Sequence, residues 1–221
     1  MKILIKFPTR GRRNKFFTVL NRYHTYAKNI NNLQFLVSID EDDAVMNNPE
    51  SLKILESFRN TRFTIGKSES KIHAINRDIP VTGDWDILFL ASDDMIPQIK
   101  GYDDVIINDM KKYYPDTDGV LWYNDGFQGN KLNTLCILGK KYFQRFNYIY
   151  YPGYRSLWSD NEFMTVANIL QKQKYFESVI IKHEHFDWGF GKPDEIHYRN
   201  IKDKNHDMSL FKERERFNFG L

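Results

Sequence analysis

The sequence has a single cysteine, Cys136, among its 221 residues. One cysteine excludes an internal disulfide and a zinc site built from cysteines. Because it lies in an apolar stretch, Cys136 is interpreted as a small buried hydrophobic residue. No apolar run in the sequence approaches the roughly 18 residues of a membrane-spanning helix. The first six residues are too short and too charged for a signal-peptide core, so a cytoplasmic protein is expected.

Acidic residues are absent from the first 39 positions, which carry eight basic side chains. The acids then begin as a cluster at positions 40–43, and the whole chain has a net charge of +3. A solvated surface usually mixes the two signs more evenly. The asymmetry therefore reflects either chance or an anion site beside a carboxylate site. With 41% hydrophobic residues, the chain has enough apolar material for one folded domain, and disorder is excluded.

Strand and helix patterns alternate along the first 120 residues. The predicted strands are 2–7, 33–39, 63–65, 86–91, 119–123, 134–138 and 179–185. The predicted helices are 13–28, 49–58, 70–79, 102–113 and 159–173, and the chain from residue 186 is expected to be polar and rich in loops. The alternation predicts an α/β fold with an open, mostly parallel sheet. Ligands bind such sheets at the carboxyl ends of the strands.

Two adjacent carboxylates, Asp93 and Asp94, follow the cleanest of these strands. They would repel each other unless a cation, a proton or water compensates. Carboxylates completed by substrate phosphates and water are a usual Mg²⁺ or Mn²⁺ arrangement. His183 and His185 lie two apart in a predicted strand, so they share a face and could complete the metal shell. The alternatives are an aspartate turn that binds backbone amides and two histidines with a structural role.

The loop after the first strand contains Thr9, Arg10, Gly11, Arg12 and Arg13. Backbone amides at a helix start and guanidinium groups suit phosphate oxygens, and Gly11 permits a positive φ angle. A basic solvated turn is the alternative interpretation.

Asp40 ends the second strand, where a carboxylate can accept hydrogen bonds from a base or a ribose hydroxyl. Asp42 is interpreted either as a second donor contact or as a cap or turn residue.

The segment Ser159–Glu162 matches a helix-capping box, which gives Glu162 a complete structural explanation. Asp160 gains from the helix dipole, and its functional interpretation is a general base, with Glu162 as the reserve candidate. Trp158 and Tyr154 could form a stacking surface for a sugar or a base, or belong to the core.

Taken in order, these motifs resemble the GT-A nucleotide-sugar glycosyltransferases, close to the family-2 group. The segments that carry the resemblance are Phe7–Arg13, Val37–Asp40, Lys71–Arg77, Leu88–Asp94, Ser159–Glu162 and Lys182–Gly189. One position departs from the family pattern, because the usual first aspartate of the Asp-x-Asp metal motif falls on Ala91. The metal role would then pass to Asp93 and Asp94.

The resemblance implies a single GT-A domain over residues 1–190, with residues 191–221 as an extension that packs on it. It implies transfer of a hexosyl or pentosyl unit from a nucleoside diphosphate donor, with a UDP-sugar preferred, to an acceptor hydroxyl. Asp160 would take the acceptor proton, and the cofactor would be Mn²⁺ or Mg²⁺. The implied metal ligands are Asp93, Asp94, His183 and His185. The implied donor contacts are Pro8, Thr9, Arg10, Arg12, Arg13, Asp40, Asp42 and Lys71, and the implied acceptor contacts are Tyr154, Trp158 and Trp188.

Two other functions remain open from the sequence. A metal-dependent nuclease or phosphotransferase would also use clustered carboxylates and histidines. A nucleotide- or glycan-binding module without turnover is the third hypothesis, and Ala91 favours it. For the glycosyltransferase, the acceptor could be a glycan, a lipid-linked sugar or a modified nucleic-acid base.

Overall fold

The structure of the chain, a computed structural model, describes residues 1–80, 82–185, 189 and 195–221. The strands are β1 (Ile3–Thr9), β2 (Leu33–Asp40), β3 (Thr61–Gly66), β4 (Ile87–Leu90), β5 (Met95–Pro97), β6 (Val120–Tyr123), β7 (Ile137–Gly139), β8 (Gln173–Phe176) and β9 (Ile181–His183). The helices are α1 (Arg13–Tyr26), α2 (Pro49–Ser57), α3 (Lys71–Asn76), α4 (Tyr102–Tyr113), α5 (Lys140–Phe143), α6 (Ser159–Ile169), α7 (Glu195–Ile201) and α8 (Lys204–Arg216).

The main sheet has the strand order β3-β2-β1-β4-β7-β6-β8. Strands β1 to β4 are parallel neighbours, β7 is antiparallel to both β4 and β6, and β8 is parallel to β6. The predicted mostly parallel α/β sheet is therefore confirmed. Strand β5 leaves the main sheet and pairs with β9 in an antiparallel ribbon, with Met95 opposite His183.

Helices cover both faces of the main sheet because its strands are apolar on both sides. On one face, Ile5 and Phe7 of β1 pack with Phe16 of α1 and with residues of α2 and α4. On the other face, Leu4 and Leu88 pack with residues of α3, α5 and α6. Because β1, β2 and β4 are parallel, their carboxyl ends lie at one edge of the sheet.

Local sequence signals explain the early helices. The Asn48 side chain accepts a hydrogen bond from the Ser51 amide at 3.0 Å, and Pro49 follows as the first helical residue, so the predicted start of α2 is confirmed. The predicted helix 102–113 has the same first and last residues as α4.

Three predictions about elements are wrong. The C-terminal segment, expected to be rich in loops, contains α7 and α8. The predicted helix 159–173 ends at Ile169, because Gln171 has a positive φ angle and β8 begins two residues later. The capping box is absent as well, since Trp158 precedes α6 with a left-handed backbone and no side chain caps the helix. None of the helices in the described part of the chain has the length and apolar content that crossing a membrane requires.

A buried lysine lies in the middle of β1. The Lys6 ammonium donates hydrogen bonds to the Ser38 hydroxyl of β2 and to the Arg77 carbonyl oxygen, the latter at 2.7 Å. Burial lowers the pKa of Lys6 to about 7, although the nearby Asp78 carboxylate partly opposes this shift. A lysine in this setting is partly neutral at physiological pH.

The depressed pKa predicts that the chain becomes more stable as the pH rises above 7. Between the folded pKa of about 7 and the ordinary lysine value of 10.5, the unfolded chain binds more protons than the folded one, so unfolding becomes costlier with increasing pH. We expect Lys6 to contribute about 2 kcal/mol to the rise in unfolding free energy between pH 7.5 and 9. Urea denaturation at both pH values measures it in the wild type and in Lys6→Met. An equal slope in the two proteins would contradict the assignment.

Candidate active site

The first wall of the site is the start of α1, which faces the end of β4. The Arg12 guanidinium donates a hydrogen bond to the Asp93 carboxylate at 3.1 Å, and the Lys15 ammonium lies 3.8 Å from the same oxygen. Burial raises the pKa of Asp93 and the charge of Asp94 adds to the effect, while Arg12 and Lys15 oppose it. The basic loop and the aspartate pair therefore belong to one site. Lys15 is a member of it that the sequence interpretation missed.

The second wall is the β5–β9 ribbon, which brings a histidine to Asp94. The Nε2 atom of His183 lies 3.5 Å from Oδ1 of Asp94, and its Nδ1 atom lies 4.0 Å from Oδ2 of Asp125. Backbone hydrogen bonds lock this arrangement, from the Glu184 amide to the Asp94 carbonyl at 2.7 Å and from the His183 amide to the Asp125 carbonyl at 2.9 Å. The histidine is thus held between two carboxylates.

The electrostatics of Asp94 favour an ionised carboxylate. Burial raises its pKa, but the hydrogen bond and charge of His183, together with the Ser92 hydroxyl, outweigh burial and leave the pKa well below its usual range. Asp94 is therefore negatively charged at neutral pH even though it is buried.

The donor atoms of this cluster fit a hard divalent cation in type. An aspartate oxygen and an imidazole nitrogen are both ligands of Mn²⁺ and Mg²⁺ chemistry. The buried Nδ1 atom of His183 has no hydrogen-bond partner among the described residues, and it faces the Asp125 carboxylate. A carboxylate behind a histidine is the usual support for a metal-binding imidazole. Across residues 1–80, 82–185, 189 and 195–221, no three His, Cys, Asp or Glu side chains cluster closely enough to bind a metal by themselves. A cation held by Asp94 and His183 would take its other ligands from water or from a substrate phosphate.

His185 lies beside the pair without reaching Asp94 in any described contact. Its ring centroid is 5.7 Å from that of His183. The sequence placed both histidines on one strand, whereas β9 ends at His183.

The predicted nucleoside contact, Asp40, lies at the end of β2 and is already paired. Arg10 donates hydrogen bonds to Asp40 at 2.8 Å and to both oxygens of Asp42 at 2.5 and 2.8 Å. The hydrogen bonds from Arg10 lower the pKa of Asp42 to about 2. Arg77 lies 3.9 Å from the other side of Asp40. A donor base at this position would meet a carboxylate that arginines hold in place.

The other predicted donor contacts divide into two groups. Thr9 is buried at the end of β1, and its hydroxyl has no hydrogen-bond partner within the described residues. Pro8 lies next to it in the same strand. The φ angle of Gly11 is 70°, which is a positive value of the kind that glycine permits. In contrast, Arg13 pairs with Glu50 at 2.6 Å and with the Ser51 hydroxyl of α2 at 2.9 Å.

The predicted base, Asp160, lies in the first turn of α6, and charged residues of the site shift its pKa. Burial raises the pKa of its carboxyl, and the positive charges of Lys71 and His183 lower it by smaller amounts. The charges of Lys71, at the start of α3, and of His183, beside Asp94, therefore both act on Asp160. A raised carboxyl pKa is the usual property of a general base.

The reserve candidate, Glu162, and the predicted acceptor residue Trp158 both contact α8. Glu162 is buried and accepts hydrogen bonds from Arg214 of α8 at 2.8 and 2.9 Å and from the Tyr154 hydroxyl at 2.8 Å. This ion pair occupies the carboxylate, and Tyr154 is buried with it. Trp158 packs on Phe211 of α8 with ring centroids 5.3 Å apart. Trp188 lies outside the described residues.

The loop before Asp160 is anchored by a buried carboxylate that the sequence did not indicate. Asp207 of α8 is fully buried, and it accepts hydrogen bonds from three successive backbone amides. The donors are the amides of Arg155, Ser156 and Leu157, at 2.9, 2.9 and 2.8 Å. Because Trp158 and Asp160 follow directly, Asp207 fixes the start of α6 and with it the candidate base.

We expect Asp207→Ala to lower the unfolding free energy by about 3 kcal/mol, because three backbone amides, one buried and two partly buried, would lose their acceptor. Asp203→Ala is a matched control, since the Asp203 carboxylate accepts a hydrogen bond from the exposed Arg155 side chain at 2.7 Å. That ion pair is half exposed and contributes less than about 1 kcal/mol. Chemical denaturation measures both variants. Equal losses in the two would remove Asp207 as the anchor.

Comparison with known proteins supports the fold. Scanning the sequence against models of known families gave no match, and no curated protein matched it either. Solved structures do match. The mannosyltransferase PcManGT from Pyrobaculum calidifontis, in complex with GDP-Man and Mn²⁺, aligns with a TM-score of 0.65 and 10% identity over 83% of this chain and 57% of its own. Residues 1–349 of S. aureus TarS align with a TM-score of 0.63 and 13% identity, over 82% of this chain and 60% of that one.

A complex of the same TarS fragment with UDP-GlcNAc aligns with a TM-score of 0.61 and 13% identity, over 91% of this chain and 64% of its own. The chain thus spans less than two thirds of the length of each of these structures. It has their GT-A-like nucleotide-sugar glycosyltransferase fold.

Proposed function

We propose that this chain is a glycosyltransferase that moves a sugar from a nucleoside diphosphate donor to an acceptor hydroxyl. The observation that carries the proposal is the convergence of Arg12, Asp93, Asp94 and His183 at the carboxyl ends of β1 and β4, with Asp160 within electrostatic reach of His183. Cations that suit phosphate, donor atoms that suit a divalent metal and a carboxyl with a raised pKa support this proposal, as does the fold shared with structures in complex with GDP-Man or UDP-GlcNAc.

Each part of the donor has a matching group in the proposal. The nucleoside would contact Asp40, and Arg12 and Lys15 would lie beside the diphosphate, whose charge they complement. The buried hydroxyl of Thr9 has no hydrogen-bond partner in the described part of the chain, so it suits a ligand contact. We propose a UDP-sugar as donor, with Asp42 and Lys71 at the edge of its site. Arg10 would act by holding Asp40 in position, because both of its amino groups are already paired.

Asp94 and His183 would hold a Mn²⁺ or Mg²⁺ ion, supported from behind by Asp125. When bound, such an ion stabilises the negative charge that develops on a leaving diphosphate. Asp93, which is already bound to Arg12, would keep that guanidinium beside the diphosphate.

Asp160 would accept the proton of the acceptor hydroxyl as its oxygen attacks the sugar. The carbon–oxygen bond to the diphosphate breaks as the bond to the acceptor forms, so the proton passes to Asp160 and the electron pair leaves with the diphosphate. This assignment describes an inverting reaction.

The test is a thermal-stability assay with UDP, GDP and CDP, each with Mn²⁺ or EDTA. A ligand that binds only the folded chain raises its melting temperature. We expect the largest shift with UDP and Mn²⁺, followed by hydrolysis of the corresponding UDP-sugar. The absence of a metal-dependent shift with every nucleotide would overturn the proposal. A shift without turnover across an acceptor panel would favour a binding module instead.

A further inference from the structure

A cavity lies next to the candidate active site, and Lys71 is the one proposed donor contact among the described residues that line it. It has a volume of about 390 Å³ and lies between the start of α3, the loop at residues 152–156, α7 and the start of α8. Within the described part of the chain, its lining includes neither Arg12 nor the Asp94–His183 pair. The cavity is therefore separate from the place proposed for the diphosphate.

The charged groups that line this cavity are mainly positive. The cations are Lys71, Arg155, Arg199 and Lys202, and the acids are Glu69 and Asp203. Asp203 is already paired with Arg155 at 2.7 Å. Among the described residues, Lys71, Arg199 and Lys202 have no ion-pair partner within 4.0 Å, which leaves an excess of positive charge at the opening.

Two further observations point to a ligand in the cavity. Ser156 is 7% exposed, lines the cavity, and its hydroxyl has no hydrogen-bond partner in the described part of the chain. The first turn of α8 also contributes His206 to the lining, so the positive end of a 13-residue helix lies at its wall. A buried free hydroxyl beside cations and a helix N-terminus suits a phosphate group.

The cavity is linked to the proposed base through Lys71 and through the loop that leads into α6. Lys71 lines it and interacts electrostatically with Asp160, and Ser156 belongs to the loop that leads into α6. A molecule bound here would therefore lie on the base side of the site, where an acceptor has to present its hydroxyl.

We propose that the acceptor carries a phosphate group, which binds in this cavity through Arg199, Lys202 and Ser156. This inference rests on the proposed function, because it assigns the second substrate of that reaction. Binding of the phosphate positions the acceptor, and the sugar is transferred to a hydroxyl of the same molecule near Asp160.

The test uses glycerol 3-phosphate and glycerol as probes, titrated into the full chain by calorimetry at low ionic strength. We expect glycerol 3-phosphate to bind and glycerol not to bind. In the double variant Arg199→Gln/Lys202→Gln, affinity for glycerol 3-phosphate should fall at least tenfold, since two charge-assisted contacts are lost. The control Lys212→Gln/Arg216→Gln removes the same charge from exposed positions of α8 outside the cavity. It should keep wild-type affinity.

UDP with Mn²⁺ is titrated into the same proteins as an independent measure of the donor site. Equal UDP affinity in all three proteins, together with the loss for glycerol 3-phosphate, supports the inference. The absence of glycerol 3-phosphate binding, an equal loss in both double variants, or displacement of glycerol 3-phosphate by UDP would each overturn it. Displacement would assign the cavity to the donor. If UDP does not bind at all, the proposed function fails, whereas the phosphate titration still decides whether the cavity takes phosphate.

Discussion

Asp94→Asn is expected to abolish the metal-dependent part of nucleotide binding and to reduce sugar transfer at least a hundredfold. The variant keeps the shape of the side chain but removes the negative charge that faces His183 at 3.5 Å. A neutral amide is a much poorer ligand for a hard cation than a carboxylate. Loss of one group that stabilises developing charge costs about 10²–10³ in turnover. The melting temperature with UDP, compared between Mn²⁺ and EDTA, measures the binding part of the prediction.

Asp116→Asn is the matched control for this experiment. Asp116 forms an exposed ion pair with Lys141 at 2.8 Å, so the same chemical change there should leave both nucleotide binding and transfer unchanged. If Asp94→Asn keeps the full Mn²⁺-dependent shift, the assignment of Asp94 as a metal ligand is wrong. The melting temperature without ligand shows whether each variant folds.

The first half of the fold could be predicted from the sequence because its signals are local. The apolar runs of β1, β2 and β4 and the Asn48–Pro49 start of α2 depend on neighbouring residues alone. Parallel strands have their carboxyl ends at one edge, so the same pattern also placed the basic loop near Asp93. The Arg12–Asp93 contact follows from topology.

The C-terminal helices could not be predicted in the same way, because their stability depends on distant partners. Helix α8 is strongly polar, and few apolar residues mark a buried face along it. Two of its charged residues make its polar contacts with distant parts of the chain: Asp207 binds the backbone of residues 155–157, and Arg214 pairs with Glu162. From the sequence alone, Glu162 fits a capping box, and nothing local indicates an arginine 52 residues away.

Asp125 was missed for a related reason. It lies in an Asn-Asp-Gly sequence, which is typical of a turn, and its carboxylate does accept hydrogen bonds from the amides of Phe127 and Gln128 at 2.8 and 2.6 Å. The Asp125 carboxylate also lies 4.0 Å from Nδ1 of His183. This contact depends on the pairing of β9 with β5. The local sequence accounts for the turn alone and gives no sign of the contact with His183.

Asp160→Asn is expected to keep donor binding and to reduce transfer by about 10²–10⁴, the usual contribution of a general base. Asn has nearly the same shape, so the hydrogen-bonded start of α6 and the loop held by Asp207 should stay intact. UDP affinity with Mn²⁺ should therefore match the wild type while kcat falls. Asp116→Asn again serves as the control, and an Asp160→Asn enzyme within a few fold of wild-type kcat would remove Asp160 as the base.

The pH profile distinguishes a base from a residue that only supports the loop. Because burial raises the pKa of Asp160 above the ordinary aspartate value of 3.8, the carboxyl is protonated and inactive at low pH, and kcat should rise with pH through the raised pKa. The positive charge of Lys71 opposes this shift, so Lys71→Met should move the acid limb of kcat to still higher pH. A supporting residue would change kcat without moving that limb. The direction of the movement therefore tests both the role of Asp160 and its placement beside Lys71.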